Sequence, residues 1–149
     1  MNVKVQLLTK TAKMPTKAHN TDACFDLYAD EKRDRTEPVY IIEPGKSVVI
    51  PTGIATEIPV GYFAPVYVRS GLGIKKHLRL SNSVGVIDSD YRGEWMVSLH
   101  NDGTESQTIH PGDRIAQFTL QEVFPVELTH VKELNDSERG TGGFGSSGK

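Results

Sequence analysis

Residues 81–94 read Ser-Asn-Ser-Val-Gly-Val-Ile-Asp-Ser-Asp-Tyr-Arg-Gly-Glu and carry the chain's best candidate for acid–base chemistry. A short apolar run, Val84-Gly85-Val86-Ile87, leads directly into Asp88, with Asp90 two positions on. A carboxylate at the end of an apolar strand is held rigidly beside a low-dielectric surface, where it can be tuned as a general base. Asp90-Tyr91-Arg92-Gly93 reads as a tight turn, so the run and the strand after it are expected to fold back as a hairpin. Gly85 removes a side chain where a flat ligand could lie against the backbone. A surface hairpin with a solvated acidic turn would read the same way. This stretch alone leaves both open.

Other residues could serve an anion. Arg69-Ser70-Gly71 ends an apolar run and offers a guanidinium fork, a hydroxyl and exposed amides, although a strand-ending turn would look alike. Asp26 sits inside the apolar segment 21–29, where an unpaired carboxylate is costly, so it either caps a turn or faces a ligand or cation. Gly112-Asp-Arg-Ile-Ala-Gln117 begins as a turn and runs into a strand. Asp113 and Arg114 read there as a turn and an ion pair, and Gln117 as a sheet glutamine or a ligand contact.

Gly143-Phe-Gly-Ser-Ser-Gly148-Lys149 has the form of an opening Walker loop, but no helix follows to present amides to a phosphate. Its Gly amides and the hydroxyls of Ser146 and Ser147 can still wrap a phosphate, with Arg139 just ahead. His19, His77, His100, His110 and His130 show no metal-ligand spacing, and no Ser-His-Asp arrangement is visible in the order of residues. Carboxylates, a magnesium site and phosphate clamps together suggest hydrolysis of a phosphoanhydride.

The elements that must hold these residues are short. Val3, Val5 and Leu7 alternate for an opening strand, and the polar residues 10–20 form a loop. Residues 30–38 are a charged run read as a solvated loop. Turn signals then recur at Pro44-Gly45, Pro51-Thr52-Gly53, Pro59-Val60-Gly61, Asn101-Asp102-Gly103 and Pro111-Gly112. Between them lie β-branched and aromatic runs at 47–50, 54–58, 62–68, 95–100, 115–120 and 126–131. Such spacing predicts an all-β sandwich or barrel, with at most one or two helical turns over 70–76. Residues 135–149 are rich in Gly, Ser and charge and read as a mobile tail. Phe144 stands alone there, with nothing nearby in sequence to bury it.

Composition narrows the classes. The 149 residues suit one domain, and a formal charge of -2 argues against a general nucleic-acid binder. The single cysteine, Cys24, excludes an internal disulfide and fits a reducing cytoplasm, or a host cytoplasm if the protein is viral. Residues 1–10 hold no long apolar run, so neither a signal peptide nor a membrane span is expected.

Five segments in order resemble the trimeric dUTP diphosphatase (dUTPase) family over nearly the whole chain. Asp22-Ala-Cys-Phe-Asp-Leu-Tyr-Ala29 is similar to the first family motif and Arg69-Ser-Gly-Leu72 to the second. Residues 82–94 resemble the third, Gly112-Asp-Arg-Ile-Ala-Gln117 the fourth, and Arg139-Gly-Thr-Gly-Gly-Phe-Gly-Ser-Ser-Gly148 the fifth. The chain departs at Cys24, where the family usually has glycine, and at Val68, where proline is common.

The resemblance implies a distorted β jelly roll over residues 1–134 and a C-terminal arm over 135–149. It implies a homotrimer whose active sites are shared between subunits, and hydrolysis of dUTP to dUMP and pyrophosphate with Mg2+. This limits uracil in DNA and supplies dUMP for thymidylate synthesis. By the same resemblance, Asp88 activates the water that attacks the α-phosphorus, and Asp26 holds magnesium through a water. Tyr91 packs under the deoxyribose, the backbone of Asn82, Gly85 and Val86 reads the uracil edge, and Ile87 and Met96 lie beside the nucleotide. Arg69, Ser70, Gly71 and Gln117 take the phosphates. Phe144 stacks on uracil while Arg139, Gly145, Ser146 and Ser147 close on the β- and γ-phosphates.

Two other readings compete. dCTP deaminases are similar in fold and in some motifs, but typically have Pro-Gly where Ser89-Asp90 follows Asp88 here. A regulatory protein could keep the scaffold and use the nucleotide as a signal, with residues 30–38 as the place for a protein partner.

Overall fold

A computed structural model describes residues 1–31 and 39–143. Phe144, Gly145, Ser146 and Ser147, and residues 32–38 of the charged run, lie outside the described residues. Twelve short strands and one helix follow the alternating pattern: β1 (Lys4–Leu7), β2 (Phe25–Tyr28), β3 (Tyr40–Ile42), β4 (Ser47–Pro51), β5 (Ile54–Glu57), β6 (Tyr62–Tyr67), α1 (Ser70–Lys76), β7 (Leu78–Leu80), β8 (Gly85–Ile87), β9 (Met96–Asn101), β10 (Gln107–Ile109), β11 (Arg114–Phe118) and β12 (Gln121–Glu122).

Among the described residues every strand pair is antiparallel, and most join strands far apart in sequence, as in a jelly roll. One sheet runs β12-β6-β11-β2, with β8 also on β6; another runs β4-β9-β7; β1-β5 and β10-β3 form two-stranded ribbons. Alternation sends Leu27, Ile50, Leu99 and Ile115 inward to a common core. Trp95 fills its centre, edge-on to Phe118 at 4.9 Å between ring centroids. Asn101 is fully buried yet satisfied: its Nδ2 donates to the carbonyls of Ile42 and Glu105, each at 2.8 Å, and its Oδ1 accepts from Gly103 N. That side chain closes the turn the sequence marks at 101–103.

Two glycines, Gly71 and Gly73, make α1 a weak helix, and it stops after seven residues. His77 ends it in the left-handed region, with its N–H donating to Leu72 O. At Gly53 (φ +67) a Cβ would stand 2.6 Å from both Ala12 Cβ and Asp30 Oδ2, so no larger residue fits.

Four expectations need correction. The run 84–87 does not pair with the strand after it: β8 pairs with β6, while β9 pairs with β4 and β7. The chain does turn, Tyr91 N donating to Asp88 O at 3.2 Å. Residues 92–95 then carry it past the β1-β5 ribbon, where Trp95 N donates to Ile54 O at 2.9 Å, and into β9 of the other sheet. Residues 126–131 form no strand and pair with none of the described strands; Phe124, Val126 and Leu128 stand exposed, Leu128 at 93 %. Asp30 is not in a solvated loop but buried, accepting from Thr9 Oγ1 at 2.6 Å and Thr11 Oγ1 at 2.7 Å. Arg114 does pair, but with Asp26 rather than with its neighbour Asp113, which instead accepts from His110 N.

Candidate active site

The candidate residues fall into two groups at opposite ends of one strand pair. In the first, antiparallel pairing of β11 with β2 and β6 sets Gln117 opposite both Asp26 and Tyr67. Tyr67 ends β6, and Arg69 follows as the N-cap of α1. Asp26, almost fully buried, therefore meets Arg69 Nε at 2.7 Å through Oδ1 and Arg114 Nη1 at 3.1 Å through Oδ2. The Gln117 amide donates to Val68 O at 3.2 Å, tying the strand end down.

Asp26 is thus neither a turn cap nor a bare carboxylate: it is the anchor that aims two guanidinium groups. Ser70 and Gly71 open α1, where amides have no partner within the helix. A Cβ at Gly71 would meet nothing within 4 Å, so this edge is open in the single chain.

Asp26→Ala is expected to destabilise the fold by about 1–3 kcal/mol, because two arginines lose their shared counter-charge while staying partly solvated. A urea midpoint equal to wild type would remove Asp26 from this anchoring role. Next to it, burial pushes the Cys24 thiol above its ordinary value; Lys17 pulls it back and Asp26 adds to the rise. The rise lowers the thiolate fraction on which nucleophilicity depends.

The second group surrounds β8. A cavity of about 120 Å³ is lined by Asn82, Gly85, Val86, Ile87, Met96 and Ser98, over a floor that includes Leu27 and Trp95. Drug-sized ligands fill roughly 300–1,000 Å³, so this hollow accepts part of a nucleotide rather than all of it. Trp95 Nε1 is buried there with no hydrogen-bond partner among the described residues.

Among those residues β8 is paired on one side only, by β6, which leaves the N–H and C=O groups of its other edge facing outward. The absence of a Cβ at Gly85 has a packing cause as well: one would press to 3.1 Å from Val66 Cβ on β6. Asp88 follows β8 directly and is exposed. Tyr91 closes the turn, its hydroxyl donating to Glu94 O at 3.0 Å while its ring covers Gly93, where a Cβ would collide at 2.5 Å. Arg92 Nη1 donates to Ser89 O at 2.6 Å and holds the same turn. A larger hollow of about 280 Å³ lies against β1 and β5 and contains none of the candidate residues.

Within one chain the two groups stay apart. Val66 is in register with Gly85, and Arg69 and Asp88 each lie three residues beyond, in opposite directions. Six strand steps separate them by about 20 Å. Arg139 lies farther along, in an exposed turn where Gly140 N donates to Ser137 O at 2.9 Å.

Order in the chain gave no sign of one further cluster. Strand pairing lines up Ser98, Ser81, Ser47, His100 and Asp102 by hydrogen bonds and one ion pair. Only the register of β4, β7 and β9 brings these together. Among the described residues no three His, Cys, Asp or Glu side chains converge as metal ligands, and no helix is long and apolar enough to cross a membrane.

Comparison with known proteins agrees with this geometry. The dUTPase family model matches residues 10–148. A deoxyuridine 5'-triphosphate nucleotidohydrolase of Desulfotalea psychrophila is 46% identical, over 99% of this chain and 99% of its own length. The enzyme of the same name from Nautilia profundicola is 42% identical over 100% of both. Among solved structures, the Staphylococcus bacteriophage 80alpha dUTPase with dUpNHpp superposes with a TM-score of 0.87 at 32% identity, over 99% of each chain. A dUTPase from phage phi11 of S. aureus, described with a structural Mg(II) ion, gives a TM-score of 0.78 at 27% identity, over 89% of this chain and 98% of that one. With a carboxylate beyond a small cavity and a separate arginine cluster already in place, the chain belongs to the dUTPase family, enzymes that hydrolyse dUTP.

Proposed function

We propose that the chain cleaves dUTP between the α- and β-phosphorus, with Asp88 as general base, in active sites shared between copies of a homotrimer. The observation that carries this is the open edge of β8 bordering the cavity and ending at Asp88. Uracil presents an acceptor, a donor and an acceptor along one edge. A strand edge offers alternating N–H and C=O groups, so the backbone of Asn82, Gly85 and Val86 can pair with it as a further strand would. Ile87 and Met96 flank the ring, and Tyr91 supports the sugar.

In the reaction, Asp88 takes a proton from a water as its oxygen bonds to the α-phosphorus, and the bridging oxygen leaves with pyrophosphate. Asp88 is exposed, as it must be to meet that water. Charge on the phosphates falls to Arg69, the amides and hydroxyl of Ser70 and Gly71, and Gln117. These lie about 20 Å from Asp88 in the same chain, beyond the reach of one triphosphate. A second copy must therefore supply one group to the other.

The exposed strip of Phe124, Val126, Leu128 and Leu134 supports the same reading, since an apolar run outside any core calls for a partner surface. Residues 135–149 act as the closing arm, with Phe144 on the base and Arg139, Gly145, Ser146 and Ser147 on the outer phosphates.

Both carboxylate oxygens of Asp26 are taken by Arg69 and Arg114, so Asp26 offers no direct ligand and could meet a hydrated ion arriving on the triphosphate only through one of its waters. Mg2+ would be held there through a water, and when bound it neutralises phosphate charge.

Pyrophosphate release from dUTP, dCTP, dTTP and UTP, assayed side by side with Mg2+, tests this function. Release from dUTP alone is expected; release from none of them would overturn it. In the same panel Tyr91→Ala should raise the UTP rate relative to dUTP by about tenfold or more, since space opens for a 2′-hydroxyl. An unchanged ratio would take sugar selection away from Tyr91.

A further inference from the structure

Tyr91 is 43 % exposed, so burial in the core does not fix its ring. Its two neighbours in the turn do. A Cβ on Gly93 would stand 2.5 Å from Tyr91 Oη, 2.6 Å from Cζ and 3.0 Å from Cε2. The ring therefore occupies the space that any side chain at 93 would need. Its hydroxyl reaches one residue farther and donates to Glu94 O at 3.0 Å. The tyrosine lies along the backbone of 93 and is tied at its tip to that of 94.

The carbonyl at its tip is held in turn. Glu94 Oε1 accepts from Gly53 N at 2.9 Å, and Trp95 N donates to Ile54 O at 2.9 Å. Trp95 O accepts from Thr52 Oγ1 at 2.6 Å. Residues 94 and 95 are thus bound to 52–54, a buried segment that cannot shift easily because Gly53 is wedged against Ala12 and Asp30. An exposed tyrosine is rigid because its support is anchored in the buried part of the fold.

Selection by shape needs that rigidity. A 2′-hydroxyl is rejected only if the group in its way cannot swing aside; a ring free to change rotamer yields, and the larger sugar enters. We propose that Gly93 is a specificity-determining position for the sugar, a positioning residue that acts through Tyr91: carrying no Cβ, it admits the ring to the one pose in which the hydroxyl meets Glu94 O. This rests on the reading of Tyr91 as the support of the deoxyribose. Gly93 has no positive φ, so its backbone does not require glycine; the Tyr91 ring does.

The test measures two ratios on the full chain: kcat/KM for dUTP over UTP, and the dissociation constant of UMP over that of dUMP. Gly93→Ala should lower both ratios by about tenfold, with a thermal midpoint close to wild type, since only the outer end of an exposed side chain must move. Tyr91→Phe keeps the ring but cannot donate to Glu94 O, and should lower them by less. Added to Tyr91→Ala, Gly93→Ala should lower them no further, because the ring through which it acts is gone. Should Gly93→Ala alone not fold, the double variant should, since the collision is with the ring.

Ratios unmoved in Gly93→Ala but lowered in Tyr91→Ala would overturn the role of Gly93 and leave the sugar reading standing. Further loss in the double variant, or failure of both Gly93→Ala chains to fold, would overturn it too. Ratios unmoved in Tyr91→Ala would overturn the sugar reading and the role of Gly93 with it. The monophosphates bind without being cleaved, so an error in the general base leaves the second ratio untouched.

Discussion

Asp88→Asn is expected to lower kcat by about 10²–10⁴-fold while the dissociation constant for a non-hydrolysable dUTP analogue stays within a few-fold of wild type. Asparagine preserves the volume of the side chain and its place beyond β8, so the cavity and its backbone edge survive. It cannot accept the proton that water must lose as its oxygen bonds to phosphorus. Since Asp88 is exposed and outside the core, its replacement carries no folding penalty that could imitate a catalytic defect. Single-turnover kinetics with the analogue as a binding control would check it. Wild-type turnover in this variant would sink the assignment of the base.

The second large effect is expected from the C-terminus. A chain ending before Arg139 should fold with an unchanged thermal midpoint, because residues 121–143 contribute nothing to the buried core. It should nevertheless lose about 10²-fold or more in kcat/KM, as the groups proposed to cover the base and outer phosphates go with it. Circular dichroism during heating and turnover of dUTP decide the two halves separately. A truncated chain that fails to fold would contradict the arm; one that turns over like wild type would make the arm irrelevant to the site.

The two variants act on different steps. Asp88→Asn removes a proton acceptor from a site that still assembles; truncation removes closure from a site whose base is intact. Together with the separation of Arg69 from Asp88 inside one chain, they lead to a mixing experiment. An Asp88→Asn chain and an Arg69→Ala chain, each inactive alone, should recover part of the activity when assembled together, as some sites then draw an intact group from each. No recovery in verified mixed oligomers would argue against shared sites.

Much of the fold was legible from short-range features. Turn glycines and prolines, with β-branched runs between them, identify β4, β5, β6, β9 and β11 to within a residue or two, because side-chain alternation and turn chemistry are local properties. Residues 126–131 show the limit. Their composition favours an extended strand, but a strand needs a partner edge, and composition says nothing about where edges lie. The 84–87 run shows the same limit from the other side: the turn at Asp88 is local and forms, whereas β8 pairs with β6, a strand about twenty residues earlier, rather than with β9. Asp30 looked like the start of a charged loop until two threonines from residues 9–11 folded over it.

The sequence by itself determined the chemistry available: a carboxylate after an apolar strand, an Arg-Ser-Gly turn, a glutamine among apolar neighbours, a glycine-rich end with one aromatic. It also carried the five ordered motifs by which the family is legible. Residue types and their order along the chain are enough for that. Only the tertiary structure decided which of these groups meet: that Asp26 is taken up by Arg69 and Arg114, that Arg69 and Asp88 sit at opposite ends of a strand pair, and that three serines and a histidine line up across β4, β9 and the end of β7. These are outcomes of strand register, set by long-range pairing and core packing.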